Sequence, residues 1–459
     1  MSLSRYKAYT NGQAEWLWQI PSHWSLPPLY LRYQTELGKM LDTSRITGKN
    51  LLPYLRNVDV QWGSINLADL PAMDVEPSEL SRYTVRVGDL LVCEGGEVGR
   101  AAVVDTLLGP TGFQKALHRL RAVQPGEVPK YMFYVFCWAV NAGIFTNNGQ
   151  STIAHLTGEQ LRKYRFPRPP FDEQTGIAVF LDRETAKIDT LIAVQERLIV
   201  LLAEKRQATI SHAITKGLNR DAPTKDSGVA WLGNVPAHWR VLRMKRVVST
   251  IEQGWSPQCE NFPVEESNEW GVLKVGCVNG GVFNHMENKK LPSELEPIPE
   301  YALRSGDLLV SRANTRELVG SAAVVTRDYD RLLLCDKLYR LRLHETECVP
   351  EFVAAYLSAR VIRSQIELEA TGASSSMLNI GQSVVLNLPI PLPSYQEQRE
   401  VMRFLQSENF RLNELSNNAE NAIVLLKERR SALIAAAVTG QIDVRGTIAD
   451  GKLEMKAAA

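Results

Sequence analysis

Several stretches of this 459-residue sequence carry the residue types that catalysis or phosphate binding uses, but none carries the spacing. TGKN at 47–50 ends like a phosphate-binding loop, in which glycine-rich backbone cradles phosphate and a lysine reaches it. The upstream glycine is missing, however, and Asn50 stands where Ser or Thr should be. RPPF at 168–171 is the nearest approach to the Asn- or Asp-Pro-Pro-aromatic motif of an adenine methyltransferase. No Asn or Asp precedes its prolines, no glycine-rich cofactor loop follows a strand, and the prolines run into a long helical pattern. EGGEVG at 94–99 is followed by AAVVD, a β-type run, whereas an anion cradle needs a following helix, so it reads as a turn between strands. The seven histidines are scattered without metal spacing. Cys93, Cys137, Cys259, Cys277, Cys335 and Cys348 form no metal-type pairs and read as isolated reduced thiols. No carboxylate pair beside a lysine makes a nuclease pattern. Catalysis is therefore not expected of this chain, and its polar residues are left for binding.

The elements that would position those residues are written twice. WLWQIPSHW at 16–24 returns as WLGNVPAHW at 231–239, RVGDLLV at 86–92 as RSGDLLV at 304–310, and GRAAVV at 99–104 as GSAAVV at 320–325. FPRPPFDEQ at 166–174 returns as IPLPSYQEQ at 390–398, and from there LLAEKRQATISHAIT at 201–215 aligns with LLKERRSALIAAAVT at 425–439 without a gap. One unit of roughly 220 residues is thus used twice. Its first part holds short β-rich runs broken by Gly, Pro and Asn and then a helical stretch, which predicts α+β globular parts. Its last part, from Asp172 as N-cap and again from about Tyr395, is a helix of about 45 residues, or roughly 68 Å. Apolar residues recur at Ile188, Leu191, Ile192, Leu198, Leu201 and Leu202, and at Leu405, Leu412, Leu415, Ala419, Ile423 and Leu426. Such seams would stay wet on isolated helices, so the two are expected to pack as an antiparallel coiled coil separating the globular parts, with pseudo-two-fold symmetry. The expected divisions are globular parts at 1–170 and 218–394, long helices at 171–217 and 395–445, and a flexible tail at 446–459. A net charge of +1 neither demands nor excludes a nucleic-acid partner. No apolar run of about eighteen residues is present and MSLSRYKAYT lacks a signal core, so no membrane association and a cytoplasmic location are expected.

The paired WLxxxPxHW phrases, GDLL at 88–91 and 306–309, and the Pro-rich segments running into Glu173–Gln174 and Glu397–Gln398 resemble the specificity subunits of type I restriction-modification systems. The likeness extends over almost the whole chain in the family's order. Trp18 departs from the small residue usual after Trp16–Leu17, a change expected to matter only for local packing. The resemblance implies two target-recognition domains, each reading one half of a bipartite, asymmetric site in double-stranded DNA, with the helices setting the spacer. It also implies two methyltransferase subunits around the helices, restriction subunits beyond them, and a role in phage defence. S-adenosylmethionine and ATP with magnesium would then be bound by the partners and no cofactor by this chain.

Base reading needs forked donors and acceptors on rigid supports. In the first domain the candidates are Arg56, Asn57, Gln61, Trp62 and Arg100, then Gln150 and Ser151, with Lys39 and Lys115 as weaker ones. In the second they are Lys274, the counterpart of Arg56, then Asn279, the loop residues Arg312, Asn314 and Arg316, and Ser374 with Ser375. The Glu–Gln pairs are expected to stabilise helix starts or dock partners rather than touch DNA. Two other classes stand beside this one: a restriction or modification polypeptide with a divergent active site, and a structural adaptor joining two copies of a partner without reading DNA.

Overall fold

The GDLL phrases show how the local sequence becomes sheet. Gly88 and Gly306 take φ of 90° and 88°, a region costly for residues with a Cβ, and turn the chain into the next strand. The following aspartate then holds the turn from inside: Asp89 accepts the Arg86 N–H at 2.7 Å and Asp307 the Arg304 N–H at 2.8 Å. Each also pairs with an arginine of the neighbouring strand, Arg121 Nε at 2.7 Å and Arg342 Nε at 2.9 Å. Leu90–Cys93 and Leu308–Ser311 are buried at every position, so their apolar runs are continuous rather than alternating.

Both faces of these strands are covered. The structure, a computed structural model, describes residues 4–14, 16–41, 47–123, 125–145, 155–266, 268–374 and 377–446. It divides into two compact units, one of Met1–Glu196 with Asn421–Ala459 and one of Arg197–Glu420. In the first, strands Tyr33–Leu37, Leu117–Ala122, Leu90–Cys93 and Ala101–Val103 form an antiparallel sheet in that order. Leu90, Val92, Ala101 and Leu120 meet helix Pro129–Asn141 on one side. Leu91, Cys93, Ala102 and Leu117 meet Leu55 and Phe113 of a smaller sheet on the other. The second unit repeats the plan, with Leu308, Val310, Ala322 and Leu341 against helix Pro350–Ser358 and Leu309, Ala323 and Leu338 against Leu273 and Leu333. The architecture is α+β, as expected.

The long helices run from Phe171 to Lys216 and from Tyr395 to Val438. Asp172 lies in the first turn rather than capping it, where its charge still complements the helix dipole. Each unit pairs the beginning of one helix with the end of the other. In the first, Ile177, Ala178 and Leu181 share a core with Ile434, Ala437 and Val438, and Arg430 Nε donates to Asp189 at 2.9 Å. In the second, Ala213 and Ile214 pack with Val401 and Leu405, and Arg206 donates to Asn413. The pairing is antiparallel. The seam is narrower than the apolar pattern suggested: Ile188, Leu202, Leu405, Leu412 and Ala419 are buried, but Leu191 is 49% exposed, Leu198 38%, Leu201 44% and Leu415 42%. Two helices bury one stripe of each other, and apolar positions a quarter-turn away stay uncovered.

The repeated phrase and the Glu–Gln pair meet at the helix starts. In the second unit the Trp239 indole N–H donates to Glu397 Oε1 at 3.0 Å, and His238 Nε2 lies 3.0 Å from Glu397 Oε2. In the first, His23 Nε2 lies 2.9 Å from Glu173 Oε2 while the Tyr6 hydroxyl donates to Oε1. The neighbouring amides do the same job twice. Gln174 accepts the Val128 N–H at 3.0 Å and donates to the carbonyls of Gly126 and Pro169. Gln398 accepts the Val349 N–H at 2.8 Å and donates to the carbonyls of Glu347 and Pro393. Each helix start is thereby tied to the globular part it leaves. Trp18 has no share in this packing: it is 87% exposed, because Leu17 takes the inward side of the strand and Trp18 the outward one.

Candidate nucleic-acid interface

The sequence candidates of the first domain fall mostly on one turn and the loop beside it. After strand Leu51–Leu55 the chain makes a 3-10 turn, Asn57–Asp59, with Arg56 as its cap. Asp59 is buried and accepts the Arg56 N–H at 2.8 Å, Arg56 Nε at 2.9 Å and Arg56 Nη2 at 2.8 Å. Burial alone would raise the Asp59 carboxyl, but the guanidinium and the N–H bonded to it outweigh that and hold it below the usual carboxylate range. Asn57 donates to the Gly95 carbonyl at 2.7 Å and accepts Arg100 Nη2 at 2.7 Å, and Arg100 Nη1 reaches Glu97 at 3.2 Å. Glu97 also takes the Trp62 indole N–H, and Trp62 packs edge-on against Phe133. Asn57, Trp62 and Arg100 are thus one network, whose hub, Glu97, sequence reasoning passed over; its signal was an acidic residue in the glycine-rich turn beside Arg100. That turn joins two strands, as its sequence suggested, and Gln61 stands exposed at the edge, its amide nitrogen donating to the Val58 carbonyl at 2.8 Å.

Lys39 and Lys115 lie together elsewhere, joined by the Lys115 N–H to the Lys39 carbonyl at 3.0 Å. The Lys39 ammonium pairs with Glu79 and sits 5.6 Å from the Tyr83 ring centroid, whereas the Lys115 side chain is exposed and has no partner among the described residues. Gln150, Ser151 and Ser375 lie outside the described residues, and Ser374 is described only as the end of strand Thr371–Ser374.

The second domain builds the same turn with different side chains. Lys274 caps a 3-10 segment, Val275–Gly281, and the Asn284 N–H reaches the Cys277 carbonyl at 2.9 Å just as the Asn66 N–H reaches that of Asp59 at 2.8 Å. Buried Cys277 stands where the first domain has Asp59, so the Lys274 ammonium has no carboxylate there and no partner among the described residues. Asn279 is exposed, ahead of Gly280 and Gly281, both at φ 79°. Nearly buried Asn314 donates to Asn279 Oδ1 at 3.3 Å and accepts the Thr315 N–H at 2.9 Å. Arg312 makes one long contact, 3.5 Å to the Asp336 carbonyl, and Arg316 is exposed without a partner among the described residues. Three of the first domain's four cationic candidates are held by carboxylates, and those of the second are not.

Among the described residues no group of three or more His, Cys, Asp or Glu is placed to hold a metal. All six cysteines are free, and burial pushes the thiols of Cys137, Cys335 and Cys348 up to about 12, far from nucleophilic use.

The family model of the type I restriction modification DNA specificity domain matches residues 36–198. The EcoEI specificity subunit of Escherichia coli is 30% identical over 38% of this chain and 29% of its own length. The EcoBI specificity subunit of Escherichia coli is 23% identical over 70% of this chain and 67% of its own. The MjaVIII specificity subunit of Methanocaldococcus jannaschii, also 23% identical, aligns with 78% of this chain and 79% of its own. The chain is similar, in residues 36–198 and along the longer alignments, to the specificity subunits of type I restriction-modification systems. The chain shares its fold with the HsdS subunit of Thermoanaerobacter tengcongensis, at TM-score 0.57 and 17% identity over 92% of this chain and 98% of that one. It also shares it with a chain from a structure of type I restriction-modification complex assembly, at TM-score 0.69 and 17% identity over 92% and 99%. The family model covers the turn at 56–62 and the first helix start, so two devices found in both repeats fall within it.

Proposed function

We propose that this chain is the non-catalytic DNA-reading component of a type I restriction-modification complex, each recognition domain contacting one half of a bipartite site. The observation that carries this reading is the duplicated turn. Arg56–Asn66 and Lys274–Asn284 share two backbone hydrogen bonds, from the fourth residue to the first and from the eleventh to the fourth, yet present different side chains. One frame with exchangeable polar tips is what two readers of different sequences require. Methyltransferase subunits would dock on the long helices, where Leu191 and Val194 in the first unit and Leu198, Leu201 and Phe410 in the second expose apolar surface. Restriction subunits would join that core. S-adenosylmethionine and ATP with magnesium would sit on the partners, and the setting would be the cytoplasm, with the DNA. No helix among the described residues is long and apolar enough to cross a membrane.

The purified chain is expected to transfer no methyl group from S-adenosylmethionine, and to direct adenine methylation at one bipartite sequence once two methyltransferase subunits are added. Methyl transfer by the chain alone would sink the reading, and methylation by the complex without sequence preference would sink it equally.

The two turns also separate charge from stability. Lys274→Ala is expected to weaken DNA binding, lowering the salt slope by about one unit if the contact is to phosphate, without altering thermal stability. Arg56→Ala is expected to destabilise the first unit, since it strands the buried Asp59 carboxylate. Because the folded Asp59 pKa lies below the unfolded value of about 3.9, the stability this pair contributes is present above that pH and is lost as pH falls through the folded value. Salt titrations of DNA binding and thermal melts at neutral and acid pH test this. Equal stability loss in both variants would mean that the turns do not differ as described.

A further inference from the structure

Gln61 and Asn279 occupy matching places on the repeated turn, and the backbone around each decides which end of its amide is spent. At Gln61 the choice is direct. The Val58 carbonyl can only accept, so the atom 2.8 Å from it is the amide nitrogen, and Oε1 is the end left without a partner among the described residues. At Asn279 the choice passes through a second residue. The Thr315 N–H can only donate, so the Asn314 atom 2.9 Å from it is the oxygen, and the other end of that amide is a donor. The Asn279 atom that this donor meets at 3.3 Å must then be Oδ1, which leaves the Asn279 Nδ2 without a partner among the described residues. Both side chains are exposed.

We infer that the two recognition domains read opposite hydrogen-bond polarities from this one position. Gln61 offers an acceptor to an amino-bearing base edge, adenine N6 or cytosine N4. Asn279 offers a donor to an acceptor edge, guanine O6 or N7 or thymine O4. Asn314 is a positioning residue that fixes the Asn279 amide. The inference rests on the DNA-reading role proposed above and adds the residues and the sense of the contact.

Asn279→Asp keeps the oxygen facing Asn314 and replaces the outward N–H by an acceptor. In the complex with its methyltransferase subunits, methylation is mapped over a library randomised in both half-sites. The variant is expected to change preference at one base pair of the second half-site, from an acceptor edge to an amino-bearing one, and to methylate the original site roughly tenfold to a hundredfold less well. The first half-site should stay as it was. Asn314→Asp still accepts from Thr315 but offers Asn279 an acceptor in place of a donor, so the Asn279 amide turns over, donates inward and presents Oδ1 outward, and the same base pair should switch as it does in Asn279→Asp. Gln61→Met should relax one base pair of the first half-site only. Unchanged preferences in these variants, or a uniform loss across all sequences, would overturn the inference while leaving the DNA-reading role intact. A wild-type complex without any sequence preference would overturn that role and the inference together.

Discussion

Gln398→Leu is expected to destabilise the second compact unit by about 2–5 kcal/mol, and Gln174→Leu the first by a similar amount, the larger of these effects exceeding what most single substitutions cause. Each amide is fully buried and makes three hydrogen bonds to backbone, one accepted and two donated. Leucine fits the volume but leaves one N–H unsatisfied and takes a donor from each of two carbonyls, at about 1–3 kcal/mol for each group that water cannot reach. The damage should be local, because each glutamine ties one helix start to the segment entering its own domain's helix, at Val128 or Val349. Hydrogen exchange read unit by unit is the suitable measurement, since a chain of two units does not promise one two-state transition. Gln398→Leu should strip protection from amides of the second unit and leave the first unaltered. Loss spread evenly over both units, or a change below about 1 kcal/mol, would show that the glutamine is not what seats the helix.

Exchange of residues 244–388 for the matching segment of a relative is expected to replace one half of the recognised site and leave the other half unchanged. Methylation of the original site should fall by roughly a thousandfold or more, the usual gap between specific and non-specific DNA affinity. The cut points suit the graft. Arg240–Arg243 and Pro389–Leu392 are paired antiparallel strands, and the Met244 N–H closes on the Leu388 carbonyl, so entry and exit of the exchanged segment stand side by side. The clamp of Trp239 and His238 on Glu397 lies outside the graft and is kept. The graft carries Lys274, Asn279, Arg312, Asn314 and Arg316 with it, every candidate of the second domain that the structure describes with its side chain. Mapping of methylated sites decides the matter: altered preference in both halves, or in neither, would mean that reading is not divided between the domains.

The sequence by itself determined the repeat, the α+β texture, the long helices and the two phrases that frame each domain. These rest on local signals: helical periodicity without breakers, continuous apolar runs where both faces of a strand are covered, and glycines where φ must be positive. It also marked Arg56 with Lys274 as counterparts, because the offset between repeats is visible without coordinates. Only the tertiary structure decided what each side chain meets. Arg56 and Lys274 look interchangeable in a row of letters, yet one is spent on a buried aspartate and the other is not, because a single position three residues on is Asp59 in one domain and Cys277 in the other. Asn57 with Arg100, and Asn279 with Arg312's neighbour Asn314, join across tens of residues when two loops close on one another, and no periodicity reports such closure. The same holds for the seam, where Leu191 and Leu202 carry the same side chain in one apolar pattern and only the packing partner leaves one exposed and the other buried. Local sequence sets which way a backbone runs; which groups are left for a ligand depends on which neighbours the fold has already used.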